Sequence, residues 1–435
     1  MPGKHPYGWV IFSLSFTNLL VEGGIKNTVP VVYVALKDSF RWSAAATSGV
    51  FSLGGLTGAL CAPLLGRLLD RIGPRYLFPL GGLLILLGYL TSSCANQLWH
   101  LYLFYSILAT VGENSISSFT TAATLSPWFP RHRGRMLGLA DTGNSFGQVV
   151  FLPLAQVLIA SIGWRWTFRL FGGLFFLLVG PANFLLQRCP PVLPVGAEGP
   201  TGVELGASSA LAGEGQGKGD DLSSQISATA SAQMPRVLRH SPVWFLVLAR
   251  LLAAMGHHLT HVHIVAFFIT AGYDPLLAAS AVGAVGLVGV VGRPVSGALS
   301  DVLGRELVYT LGSGMQIGGI GLLLALGDGT SLWPIILFVA VSGLSDGIGG
   351  LVVGAKAADL FPSSALGSVM GLVQMGRGLG IMMGPLVGGL LFDLRGNYVL
   401  AFLLAVILLL VAIGCMWGAR LTTGSRLTCS EEESP

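Results

Sequence analysis

The sequence predicts an all-α membrane protein, with twelve transmembrane helices in two pseudo-symmetric six-helix bundles. Three observations lead there. The 435 residues are 52% hydrophobic and only 10% charged, whereas a soluble domain needs about 25% charged residues to cover its surface. The few charges are bunched between apolar runs, each near the roughly 20 residues that cross a ~30 Å hydrocarbon core. The two halves of the chain also repeat one another in their glycines and loop charges.

Taken in order, the apolar runs are 7–36, 44–65, 76–94, 99–125, 136–160, 167–188, 243–271, 276–299, 306–326, 332–357, 365–392 and 398–418. Helix is the only open form available to them, because in lipid each segment must satisfy its own backbone groups. Span one starts directly after Met1-Pro-Gly-Lys-His-Pro with no small-residue cleavage site, so it reads as a retained helix and not a signal peptide. Arg67, Arg71 and Arg75 fall between spans two and three, and Arg131, Arg133 and Arg135 between four and five. Arg188, Arg236, Arg239, Arg305, Arg420 and Arg426 lie on that same side, which predicts cytoplasmic N and C termini in a cell membrane.

Residues 190–238 break the apolar pattern with Pro, Gly, Ser and Ala, and carry Glu198, Glu204, Glu214, Asp220 and Asp221 against Lys218. That composition predicts a disordered cytoplasmic linker. It separates an N-terminal six-helix bundle, 1–189, from a C-terminal one, 239–420, and leaves 421–435 as a cytoplasmic tail with a solvated acidic end, Ser430-Glu-Glu-Glu-Ser434.

A net charge of +4, placed in loops beside apolar spans, gives no ground for a nucleic-acid partner. The five cysteines, Cys61, Cys94, Cys189, Cys415 and Cys429, have no paired spacing and indicate neither a disulfide framework nor a metal site. No N-x-S/T sequon occurs. No G-x-x-x-x-G-K-[ST] loop and no soluble catalytic domain are present, so an enzyme is not predicted, no cofactor is called for, and a gradient must supply any driving force.

The repeat is specific. Gly66-Arg-Leu-Leu-Asp70-Arg71-Ile-Gly73 matches Gly297-Ala-Leu-Ser-Asp301-Val-Leu-Gly304 at an offset of 231. Gly134, Gly138, Gly143 and Gly147 match Gly367, Gly371, Gly376 and Gly380 at an offset of 233. Parallel repeats of this kind build the two halves of major-facilitator carriers, whose substrate sites lie near the midplane.

The paired loop segments resemble the signatures that the major facilitator superfamily carries between spans two and three and between eight and nine. Four further segments resemble the monocarboxylate transporter and oxalate/formate antiporter family: Tyr7-Gly-Trp9, Phe40-Arg-Trp-Ser43, Trp128-Phe-Pro-Arg-His-Arg133 and Gly292-Arg293-Pro294. The entry motif is a shortened form of the family's D-G-G-W-G-W. Position by position, the resemblance implies Lys26, His263 and Arg293 as substrate-site residues. Two departures stand out. Animal members carry a proton-coupling aspartate four residues before the span-eight arginine, where this chain has Gly289. Arg377 in span eleven aligns with a lysine of the oxalate/formate antiporter, while lactate carriers are uncharged there.

The charges can also be read without the family. An ionisable group at the centre of a span costs about 2.5–3.5 kcal/mol on insertion scales, so each is a functional candidate. Arg293 lies eight residues from Asp301, about 12 Å into the membrane. Its guanidinium can hold a carboxylate bidentately; the alternative is a standing salt bridge to Asp346 or Asp141. Arg377 is either a second anchor or a packed, paired arginine. Glu22 and Lys26 are four apart, the favourable order for an intrahelical pair. If substrate drew Lys26 away, desolvated Glu22 would take up a proton; Glu113 and Asp346 are the other proton-coupling candidates. Among His257, His258, His261 and His263, the last is the substrate-donor candidate; no Cys or Glu completes a metal site with the i, i+4 pair His257 and His261. Asp70, Arg71, Asp301 and Arg305 are candidate gating residues that would lock the cytoplasmic side across the two halves.

The reading is a secondary carrier of small carboxylates using Lys26, His263, Arg293 and Arg377, most simply a proton-coupled symporter of lactate or pyruvate. The alternative is a dicarboxylate/monocarboxylate exchanger anchored by Arg293 and Arg377. A cation exporter fits poorly with a cavity holding at least as many fixed cations as acids, and intact loop motifs argue against a non-transporting sensor. Its partners are the carboxylate, a proton and the lipid bilayer; the sequence leaves open a single-span accessory subunit.

Overall fold

Glycine and proline decide where the helices of this chain bend and stop. The structure, a computed structural model, describes residues 6–129, 133–188, 240–326, 331–346, 348–361 and 363–431. The linker expected at 190–238 lies outside the described residues. Among those described, helix is the only regular element, and ten helices are long and apolar enough to cross a membrane. One of these, running to Leu186, is two passes joined at Gly163 (φ 82°, ψ 160°). The broken stretch Leu98–Leu125 supplies a further pass. Twelve passes result, as the hydropathy predicts, and Leu177, Leu185, Ile407 and Leu410 face outward from an integral membrane protein.

Three passes are interrupted where the apolar pattern predicts continuous helices. Span one is Pro6–Lys26 followed by Val29–Phe40; Pro30 has no N–H to offer the Lys26 carbonyl, so the ladder stops at the site lysine. Span four runs Leu98–Leu103, a π-helical turn Phe104–Ala109, Thr110–Ser115 and Ser118–Leu125. Span ten divides into Trp333–Ser345 and Ile348–Leu360, with Asp346 extended between them. The other passes are Ala44–Ile72 (two), Pro74–Ser93 (three), Arg133–Leu186 (five and six), Ser241–Thr270 (seven), Pro275–Leu303 (eight), Arg305–Leu324 (nine), Ser363–Arg395 (eleven) and Val399–Glu431 (twelve). The last helix thus continues well into the stretch read as a tail.

The repeat has a structural cause. A Cβ on Gly143 would sit 2.6 Å from the Phe16 carbonyl oxygen, and one on Gly376 2.7 Å from that of Val247. Gly147 and Gly380 meet the Leu20 and Leu251 carbonyls in the same way. Span five therefore lies backbone to backbone on span one, and span eleven on span seven, as small residues permit. Gly138 and Gly371 meet nothing within 4 Å. Gly73 (φ 73°) and Gly304 (φ 93°) end the loop motifs in conformations closed to other residues, and Gly163 and Gly396 (φ 70°) do so at the turns after spans five and eleven.

An even number of passes puts the start of span one and the end of span twelve on one face, here the terminal face; the other is the distal face. The halves meet through span two on eleven, span eight on five and the second part of span one on seven. Their contacts crowd toward the distal face: Tyr33 and Tyr398 hydroxyls at 3.3 Å, Asp393 at the start of span two, Ser52 Oγ accepting from the Leu386 N–H at 3.1 Å, and Lys37 over the Phe392 ring at 3.8 Å. Among the described residues, no hydrogen bond or ion pair joins the halves closer to the terminal face than Arg293 and Asp141. Among the described residues, the molecule is closed at its distal face and open at its terminal face.

Candidate functional site

Between the distal closure and the terminal-face loops, the passes carry a set of charges. Lys26, at the broken end of the first helix, donates to Glu22 Oε1 at 3.0 Å. The lysine side chain is 46% exposed, the glutamate 2%, so the pair predicted by spacing exists with only its cation accessible. Glu113, on the short helix after the π turn, is buried and accepts from the Tyr89 hydroxyl at 3.3 Å. Lys26 lies within electrostatic range of Glu22, Glu113 and Arg377. Two carboxylates thus share one ammonium, and Glu22 alone is in contact with it.

Arg293 holds both partners that were alternatives to substrate. Its Nη1 donates to Asp141 Oδ2 at 3.0 Å, across the two halves, and its Nη2 to Asp346 Oδ2 at 2.8 Å. The break in span ten delivers Asp346, and Gly289 makes room for it: a Cβ at 289 would lie 3.0 Å from Asp346 Oδ2. Span ten, and not span eight, thus brings a carboxylate to Arg293 from within its own half.

His263 is fully buried; its Nε2 is 3.0 Å from the Pro385 carbonyl, and its ring packs between Tyr33 and Tyr398. It belongs to the distal closure and does not face the charge set in this conformation. His257 does: Gln316 Nε2 donates to its Nδ1 at 2.9 Å, leaving its proton on Nε2, and Asp346, Arg377, Arg250 and Arg293 all lie within its electrostatic range. Arg377 is half-buried and has no ion pair among the described residues.

The gating candidates are not arranged as a lock across the halves. Arg305 pairs with Asp301 at 2.5 Å and with Asp359 at 3.0 Å, both in its own half. Asp70 and Arg71 are exposed and make no ion pair among the described residues. This fits a terminal face that is open.

Sequence reasoning missed the group that holds the distal face. Asp393 accepts from the Ala44 and Ala45 N–H groups, each at 2.8 Å. A carboxylate from span eleven thereby completes the first turn of span two, beside Ser43 Oγ, which accepts from Ala46 N–H. Bare amides and the positive end of a helix both favour that charge. Asp393→Asn is expected to loosen the closure: with Cys94 removed, a Ser52→Cys probe reacts severalfold faster with an impermeant maleimide added at the distal face. An unchanged rate would remove Asp393 from the gate.

The geometry, two pseudo-symmetric bundles closed on one side around a charged midplane, has known counterparts. The Major Facilitator Superfamily profile matches residues 14–348 and 308–428. This chain belongs to the major facilitator superfamily. It is 29% identical over 416 residues to monocarboxylate transporter 13 of Rattus norvegicus, covering 95% of this chain and 89% of the relative. It is 28% identical to human monocarboxylate transporter 11, covering 94% and 82%. Among solved structures it resembles a bacterial homologue of the human lysosomal transporter Spinster, in an inward-facing and unoccupied conformation; the TM-score is 0.70 at 15% identity, over 97% of this chain and 98% of the other. This is a transporter and not an enzyme.

Proposed function

We propose that this superfamily member is a proton-coupled symporter of small monocarboxylates of the lactate or pyruvate type, working by alternating access. One observation carries the reading. Lys26, Arg250, Arg293 and Arg377 stand against Glu22, Glu113, Asp141 and Asp346 in the middle of the passes, so the set is neutral when all are ionised. A monocarboxylate entering it adds one negative charge, and one proton on one of the carboxylates restores neutrality. Glu113 suits the proton, being buried and without a cation in contact. Charge separated within lipid is costly, so proton and anion move together or not at all. The relatives named monocarboxylate transporters support the substrate class.

In this cycle, anion and proton bind the open form, Arg293 exchanges partners between Asp141 and Asp346 as the halves rock, and the distal contacts part as the loops of Asp70, Arg71, Asp301 and Arg305 close. The arginine-rich loops support a cytoplasmic terminal face. The uncompensated Arg377 favours a second reading, exchange of a dicarboxylate held by Arg293 and Arg377. The test uses proteoliposomes with a trapped pH dye, given lactate, pyruvate and oxalate in turn, with Arg293→Ala protein as the blank. Internal acidification by lactate or pyruvate that needs Arg293 is expected. Oxalate exchange without any pH change would overturn symport.

A further inference from the structure

Arg250 lies nine residues into span seven, about 13 Å past the helix start at 1.5 Å per residue. That is too deep to be a loop charge. Span seven lies along span eleven at a fixed register: Gly376 meets Val247, and Gly380 meets Leu251. Arg250 and Arg377 are therefore level on neighbouring helices, Arg377 lies within electrostatic range of Arg250, and Glu22 within that of Arg377. The two guanidiniums repel, yet neither has a carboxylate at ion-pair distance among the described residues. Arg293, in contrast, already has two.

The surroundings are shaped for this arginine. Its guanidinium lies against Gly349 and Gly350 at the start of the second helix of span ten, where a Cβ on Gly350 would come within 2.9 Å of Nη2 and one on Gly349 within 3.7 Å of Nη1. His257, two helical turns along span seven, lies in electrostatic range of both arginines and has its Nε2 proton free of Gln316. Two guanidiniums level on neighbouring helices and an imidazole N–H, with Glu22 and Asp346 in electrostatic range but no acid in contact, make a receptor for an oxyanion, because arginine forks match carboxylate geometry and gain most where water is scarce.

We propose that Arg250 and Arg377, with His257, form the subsite that holds the substrate carboxylate, while Arg293 joins the halves through its aspartates. This rests on the carboxylate reading above, and the ligand is a carboxylate with a short, uncharged remainder. The anion supplies the direct contact that no carboxylate among the described residues makes with either arginine.

Wild type, Arg250→Gln, Arg250→Lys, Arg377→Gln and Gly350→Ala proteins are compared in two measurements: uptake of labelled pyruvate into proteoliposomes under an inward proton gradient, and the rise in melting temperature with pyruvate in detergent. A ligand that binds only the folded state raises that temperature. Arg250→Gln and Arg377→Gln are each expected to raise KM for pyruvate at least tenfold and to lose the pyruvate-induced rise. Arg250→Lys recovers part of both, since it keeps the charge and loses the fork. Gly350→Ala keeps the arginine and displaces its guanidinium, so it raises KM by severalfold even if Arg250→Gln fails to fold. Unchanged KM and an unchanged pyruvate shift in Arg250→Gln or, if that variant does not fold, in Gly350→Ala would overturn the subsite. If pyruvate stabilises wild type but not Arg250→Gln, and no uptake follows the gradient, the subsite stands and symport fails. If pyruvate neither stabilises wild type nor is taken up, both fall.

Discussion

Arg293→Gln abolishes transport: pyruvate uptake is expected to fall by about a hundredfold, within the ~2–5 kcal/mol range for removing one member of a buried charge pair. The lower half of that range applies, because the arginine side chain is 28% exposed and partly screened. The loss has two sources. Asp141 and Asp346 are left facing each other across the halves with no cation between them, and the charged contact that, among the described residues, alone joins the bundles near the open face disappears. Arg293→Lys offers one point charge to two acids and retains a fraction of the activity. The variant Arg293→Gln/Asp141→Asn/Asp346→Asn separates the causes: it should melt within a few degrees of wild type while remaining inactive. Uptake within twofold of wild type in Arg293→Gln would show that the bridge has no part in the cycle.

Glu113→Gln is expected to uncouple the carrier. With a glutamine in place of the titrating carboxyl, the site sits permanently in its protonated charge state, so a pH gradient can no longer pull the anion. The sign is fixed: in wild type, acid on the outside loads the carboxyl there and speeds inward movement, and base outside slows it. In the variant, gradient-driven accumulation of pyruvate falls to the level seen without a gradient, while exchange of internal for external pyruvate persists within a few-fold. Retained gradient-driven accumulation would move the proton to Glu22 or Asp346, where the same substitution should then uncouple.

What the sequence reveals divides along physical lines. Depth and helical face follow from spacing, so the twelve passes, the Glu22–Lys26 pair and the loop glycines Gly73 and Gly304 are legible in it. Pro30 marks the break in span one, but the π turn Phe104–Ala109, which packs against spans two and three, has no proline or glycine to announce it. Partners across the bundle are the least legible. Spacing left Arg293 between substrate, Asp141 and Asp346, and only the approach of spans five, eight and ten shows that both aspartates reach it. Arg250 is not among the candidate cations of the sequence reading, although it lies inside the apolar run 243–271. Its depth was countable; its lack of a carboxylate partner was not.

The Asp393 cap has one further implication. When the distal face parts, the Ala44 and Ala45 amides lose their acceptor and must be met by solvent, since bare amides are not tolerated away from water. Opening on that side is therefore a hydration step as well as a rotation of two rigid bodies. The equilibrium between the two orientations then depends on water activity at one surface of the membrane, and osmolytes too large to enter the cleft favour the form described above.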